Sequence, residues 1–263
     1  MALTLRSVPP ARGAQWVLDA WRLFRRKPLA LSALFAFFLL AVLFVSLVPL
    51  VGGVLQLMAL PLLSLGFMIA SQSALLEGPV GPAQFVEPLR TPGPRRRDLL
   101  LLCAVYALAV LGVLQLADFA SDGAFEKAMA VMRQSNPAPG EVDALLADRG
   151  LVTASLIAMV LLAALSVPFW HAPALVHWGS QGVGQALFSS TLAVWRCRGA
   201  FVVYLLVWFV IVLGVGLASA LFFGVLGLRA LAQVASFPIM LFVSTLFYAS
   251  LIFTFNDSFG QQA

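Results

Sequence analysis

Four side chains with soft-ligand chemistry, Cys103, His171, His177 and Cys197, fall toward one face of the hydrophobic segments of this chain. A two-cysteine, two-histidine zinc site uses those residue types, but structural zinc ligands come in short paired spacings. Here no such pairing occurs, and isolated cysteines commonly serve as small packed apolar residues. No serine or cysteine has a recognisable base and orienting group, and no glycine-rich phosphate loop appears. No catalytic residue, metal ligand or cofactor is therefore expected. The two cysteines make no disulfide framework, and their flanks place both on a reducing side.

The stronger chemical signal is a collar of cations. Arg22, Arg25, Arg26 and Lys27 precede the first apolar run, Arg95, Arg96 and Arg97 precede the third, and Arg196 and Arg198 precede the fifth. Such side chains attract anionic phospholipid headgroups, each contributing about 1 kcal/mol near the surface. They also orient a membrane protein, which by itself accounts for them. On the opposite face, Asp118 and Arg229 are placed to form a structural ion pair.

Six apolar stretches must position these groups: 29–50, 54–76, 99–117, 151–170, 201–223 and 231–255. Each is long enough for a bilayer core about 30 Å thick, which needs about 20 residues per helix. The runs are continuous rather than alternating, which excludes a strand barrel. Of all residues 62% are apolar and 10% charged, and the mean hydropathy is +0.99. Those values exclude a soluble enzyme and a nucleic-acid binder. The fold class expected is all-α, a polytopic membrane protein of six transmembrane helices in three hairpins with cytoplasmic interfacial helices. The first run is too long for a signal peptide and reads as a retained span.

An even number of spans puts both termini on one side. Twelve of the sixteen Lys and Arg residues share that side, leaving Lys127, Arg133, Arg149 and Arg229 on the other. The positive-inside rule makes the richer face cytoplasmic. The segment 1–28 reads as amphipathic and interfacial, with Trp16, Val17, Ala20, Trp21 and Phe24 on one face at the headgroups. Residues 256–263 read as a cytoplasmic tail. The outer loop 118–150 reads as a periplasmic cap split by Pro137, Pro139 and Gly140 into two short helices. The second would bury Val142, Leu145 and Leu146 and end at Gly150.

A threefold pattern underlies the order. Each hairpin follows a short basic, aromatic segment, and Gln15, Gln84 and Gln185 hold matching places in the three. The excess of the second spacing over the first equals the inserted outer loop. Three parallel units are expected, unlike the inverted repeats of many transporters. Gly216, Ala220 and Gly224 form a small-residue ridge suited to helix packing. Gly52-Gly53 permit a tight outer turn, and Pro61, Pro168 and Pro238 read as ordinary kinks.

The opening Gly13…Trp16…Trp21-Arg22, continued by Phe24-Arg25-Arg26-Lys27-Pro28-Leu29, and the stretch Phe169-Trp170-His171-Ala172-Pro173-Ala174-Leu175-Val176 carry a resemblance. With Ala186-Leu187-Phe188-Ser189-Ser190 and Arg198-Gly199-Ala200-Phe201, the chain resembles an uncharacterised family of six-helix inner-membrane proteins of beta-proteobacteria. The likeness covers nearly the whole chain and is loose at Tyr248-Ala249-Ser250 and Asn256-Asp257. It implies a bacterial inner membrane and transfers no activity. The expectation is a non-enzymatic accessory or interaction subunit, with membrane lipids and either a membrane-protein partner or a second copy as partners. The rival is a transporter or lipid-handling protein that uses the bundle interior and the collar.

Overall fold

The computed structural model describes residues 3–90, 93–134, 138 and 140–261, with the side chains of residues 3, 229, 230, 233 and 261 outside the description. A strand β1 (Leu3–Leu5) leads into α1 (Arg12–Arg26). The first hairpin is α2 (Pro28–Ser46) and α3 (Gly52–Leu75). A short α4 (Ala83–Arg90) precedes α5 (Pro94–Phe119), the cap helices α6 (Ala124–Met132) and α7 (Glu141–Leu146), and α8 (Arg149–Phe169). Then come α9 (Ala172–His177), α10 (Val183–Arg196), the last hairpin α11 (Arg198–Val225) and α12 (Arg229–Ser258), and β2 (Phe259–Gln261). Among the described residues six segments are long and apolar enough to cross a membrane, α8 and α9 together making one of them. The protein is an all-α polytopic membrane protein.

Prolines set several boundaries. Pro28 and Pro94 stand in the first turns of α2 and α5, where a missing N–H goes unneeded. Pro49 follows α2 and cannot continue its ladder. The turn into α3 is made there, with Val51 N–H donating to Pro49 C=O at 2.8 Å and Leu50 at φ +66°. Gly52-Gly53 are thus inside α3 and do not make the turn. Gly52 instead lies so close to α2 that a Cβ would come within 2.6 Å of the Val45 carbonyl.

Pro168 does more than kink its helix. The backbone leaves the helix at Trp170 and His171 and resumes as α9. The Val167 carbonyl accepts from Trp170 N–H at 3.4 Å and from the Ser190 hydroxyl at 3.0 Å. A hydroxyl from α10 thereby satisfies a carbonyl that the broken ladder frees, as a lipid environment requires.

The three short helices α1, α4 and α10 each lie against the hairpin that precedes them around the bundle. α4 packs on α3, α10 packs on α8 and α9, and α1 packs on α11 and α12. The ring closes because β1 pairs antiparallel with β2, Leu5 opposite Phe259. The expected headgroup face of α1 is therefore a protein contact: Trp16, Val17, Ala20, Leu23 and Phe24 are buried. Trp21 alone of the predicted stripe is largely exposed, at 41%. Gly13 makes the α1–α11 crossing close, since a Cβ there would collide with the Ala200 carbonyl. The expected tail from residue 256 begins inside α12, and Phe259–Gln261 is a strand rather than free chain.

α4 also climbs into the bundle. The Phe85 ring lies over Gly66 and beside Phe38 and Phe67, at centroid distances of 5.8 and 6.0 Å. Gly66 is nine residues, or about 14 Å at the helical rise, from the α3 end. The hairpin below is tied by Arg26 to Glu77 at 3.5 Å and by the Lys27 ammonium to the Gly78 carbonyl.

The core sits toward the end that carries both termini. Its buried clusters draw on α1, α9 and α10, the terminal halves of α3, α5 and α12, and the first three turns of α2 and α11. At the far end, α6 and α7 lean on α8. α7 buries none of its residues, and Leu146 is 67% exposed, so the expected apolar face of that helix is open. Gly150 is the second residue of α8 rather than the end of α7; Asp148 caps α8 by accepting from Leu151 N–H at 2.9 Å. Pro137 and Pro139 lie outside the described residues.

Candidate functional site

Three places concentrate chemistry. The first is the collar. Arg22, Arg25, Arg26, Arg95, Arg96, Arg97, Arg196 and Arg198 are all exposed, and Lys27 is half-buried. They gather at the terminal end because α1 stops, and α2, α5 and α11 start, at that level. Arg22 is paired with Asp19 at 2.8 Å, and the Arg198 guanidinium lies 5.4 Å from the Trp195 ring centroid. Arg95, Arg96 and Arg97 occupy the first turn of α5, where the helix dipole disfavours cations. Helix stability is thus no reason for them to be there.

The second place is a buried polar seam beneath the collar. One carboxylate oxygen of Asp257 accepts from Arg12 Nε and from Trp16 Nε1, both at 2.7 Å. Those donors are four residues apart and share one face of α1. The ion pair raises the Arg12 guanidinium above its ordinary value, chiefly through the hydrogen bond to Asp257. His171 Nε2 lies 3.2 Å from the Thr254 hydroxyl, and its main-chain N–H donates to Ser190 at 3.0 Å. Its ring is walled by Phe201, Phe255 and Phe259. Tyr204 and Ser250 share a hydrogen bond of 2.6 Å. Cys197 Sγ contacts the Arg6 carbonyl at 3.3 Å, and burial pushes its thiol above the usual range. Among the described residues no three His, Cys, Asp or Glu side chains converge. The seam is chemically a clamp: it ties α1 and α9 to α12.

The third place is a cavity of about 220 Å³ between α3, α5, α8 and α12, near the middle of the spans. Its polar groups are the hydroxyls of Ser64, Tyr106, Ser166 and Tyr248. Among the described residues no charged side chain lines it.

Asp118 has another role than the one expected. Its Oδ1 accepts from the main-chain N–H groups of Phe125 at 2.7 Å and Glu126 at 3.3 Å, capping α6. The side chain of Arg229, its expected partner, lies outside the described residues. Sequence reasoning misses Asp257, Thr254 and Ser250, because Ser250 and Thr254 lie within the last apolar stretch and Asp257 falls just beyond it, in the expected tail. The signal was present in α1, where Arg12 and Trp16 present two buried-side donors that require an acceptor. Tyr106 and Tyr248 were missed because an aromatic in a span reads as packing.

In comparisons with known proteins, the chain is 34% identical over 261 residues to a protein of Burkholderia thailandensis named "Probable inner membrane protein". The match spans 99% of this chain and 95% of that relative. No family model matches, and no solved structure matches.

Proposed function

The chain belongs to the family of that Burkholderia inner-membrane protein, and from this premise we propose that it is a non-enzymatic accessory subunit, one that joins a membrane complex through its third hairpin. One observation carries the reading. The half of α11 farthest from the termini is exposed on nearly every side, and a Cβ added at Gly214, Gly216 or Gly224 would meet no atom within 4 Å. Lipid supplies no hydrophobic drive between helices, so small residues matter there by letting a second backbone approach. The Gly216, Ala220, Gly224 ridge thus has its packing surface free for a transmembrane helix of another subunit or of a second copy.

Native mass spectrometry after gentle extraction tests this. The expected result is a stoichiometric assembly that Gly216→Leu releases, with the chain itself unchanged in melting temperature. A lone chain, or an assembly indifferent to Gly216→Leu, overturns it.

A second reading, lipid handling at the collar, is favoured by the exposure of Arg95, Arg96 and Arg97 against the dipole of their own helix. Replacing all three by Gln is then expected to lower the anionic phospholipid retained on purification. In both readings the termini and the collar face the cytoplasm, following the uneven distribution of Lys and Arg. A cysteine at Ala138 should react with an impermeant thiol reagent from outside, and one at Ala83 should not; reversed labelling overturns the orientation.

A further inference from the structure

We propose that the cavity between α3, α5, α8 and α12 binds the head of an uncharged lipid quinone, its ring carbonyl accepting from Tyr106 and Tyr248. The argument begins with the tyrosines, of which the chain has three. Tyr204 is hydrogen-bonded to Ser250. Tyr106 and Tyr248 line the cavity, and among the described residues neither hydroxyl has a hydrogen-bond partner. At this depth lipid offers no partner either, and an unsatisfied polar group in hydrocarbon is costly.

The rings themselves are fixed. Tyr106 packs edge-on to Phe169 at 5.0 Å, and Tyr248 is held by Phe35 at 5.7 Å and Phe67 at 5.5 Å. The two hydroxyls are therefore positioned donors awaiting an acceptor. Ser64 and Ser166 already donate to the carbonyls of Pro61 and Ala163. The Trp170 indole N–H donates to Thr254. Free donors are thus the two phenols.

Water fills the space poorly. A water held there needs two to four polar partners, and the walls are mostly apolar. Phospholipid headgroups are excluded by their charge, since nothing ionised faces the cavity, and by their place at the membrane surface. An uncharged ring suits walls made by the rings of Tyr106, Phe169, Trp170, Phe247 and Tyr248, because aromatic faces and edges favour planar partners. An entry path exists as well. α8 and α12 share little packing and the cavity is open on its outer side, so an apolar tail can leave it over the exposed apolar side chains of these two helices.

The test uses the full chain in nanodiscs of neutral phospholipid, titrated with a decyl-substituted benzoquinone and followed by isothermal calorimetry. Saturable one-to-one binding is expected. Tyr106→Phe and Tyr248→Phe keep the packed rings and lose one donor each; each should weaken binding about tenfold, the pair about a hundredfold. Without quinone these variants should melt at or above the wild-type temperature, because they remove an unpartnered hydroxyl. Leu60→Trp, which fills the cavity, should abolish binding in a folded chain. Non-saturable uptake, or equal affinity in the wild type and the double phenylalanine variant, marks simple partitioning and overturns the proposal. So does organic extraction of the protein from its own membrane that yields phospholipid and no quinone.

Discussion

The two ends of the third hairpin are built on different terms. At the terminal end, α11 presents Ala200, Phe201, Tyr204 and Trp208 to α1 and α12, all buried, and hydroxyls and a carboxylate close over them. At the far end the same helix turns Leu217, Leu221, Phe222 and Val225 outward, between 55% and 84% exposed. Both stretches are apolar, so hydropathy does not distinguish them. What does is polarity in the neighbours: on α12, Ser250 pairs with Tyr204 of α11 itself, while Thr254 and Asp257 fix the segments packed around it, Trp170 and His171 and α1, whereas the far half of α11 offers only shape. In lipid, apolar contact alone provides little preference for protein over acyl chain. A half-helix without hydrogen bonds is therefore held by close packing or remains available for it.

Breaking the terminal half should have the largest effect. Trp16→Ala removes a fully buried ring that touches Phe201 and Tyr204 at 5.3 and 5.8 Å, and should cost about 3–5 kcal/mol, read as a large fall in melting temperature in detergent. Asp257→Ala should cost less, about 1–3 kcal/mol: Arg12 is one-third exposed, so water can replace its acceptor, while the buried Trp16 indole N–H loses its partner. Protease access at residues 6–12 would report the loosened α1. At the far half, Gly224→Leu should change the melting temperature of the isolated chain by the equivalent of less than about 0.5 kcal/mol, because nothing faces it. Equal losses for Trp16→Ala and Gly224→Leu would erase the contrast.

The smallest effect sharpens it by accessibility alone. Cys197, buried with its thiol raised, should label with a membrane-permeant maleimide only on unfolding. A cysteine at Ala220 should label in the folded chain and be shielded in any assembly.

The collar and the six spans were legible because lipid makes a strong and simple demand: continuous apolarity for the length of the core, and cations at one face. The amphipathic period of α1 was legible too, yet its partner was not. A tryptophan-rich face suits a headgroup region and a protein groove equally, and only Gly13 hinted at a close backbone neighbour. The seam escaped because Thr254 and Asp257 straddle a boundary set by hydropathy, while hydrogen bonding carried α12 on to Ser258. The cavity escaped because it is a property of four helices together.

The sequence by itself determined the class, the number of crossings and the gathering of charge, since each follows from transfer energies of single segments. The tertiary structure decided which faces meet: that α1 closes the ring on the last hairpin, that Pro168 ends a helix whose freed carbonyl Ser190 recovers, that two tyrosines share a cavity and that a glycine ridge stands free. Those outcomes depend on hydrogen bonds and close contacts between segments far apart in the chain, and such pairings have no signature in the composition of either partner.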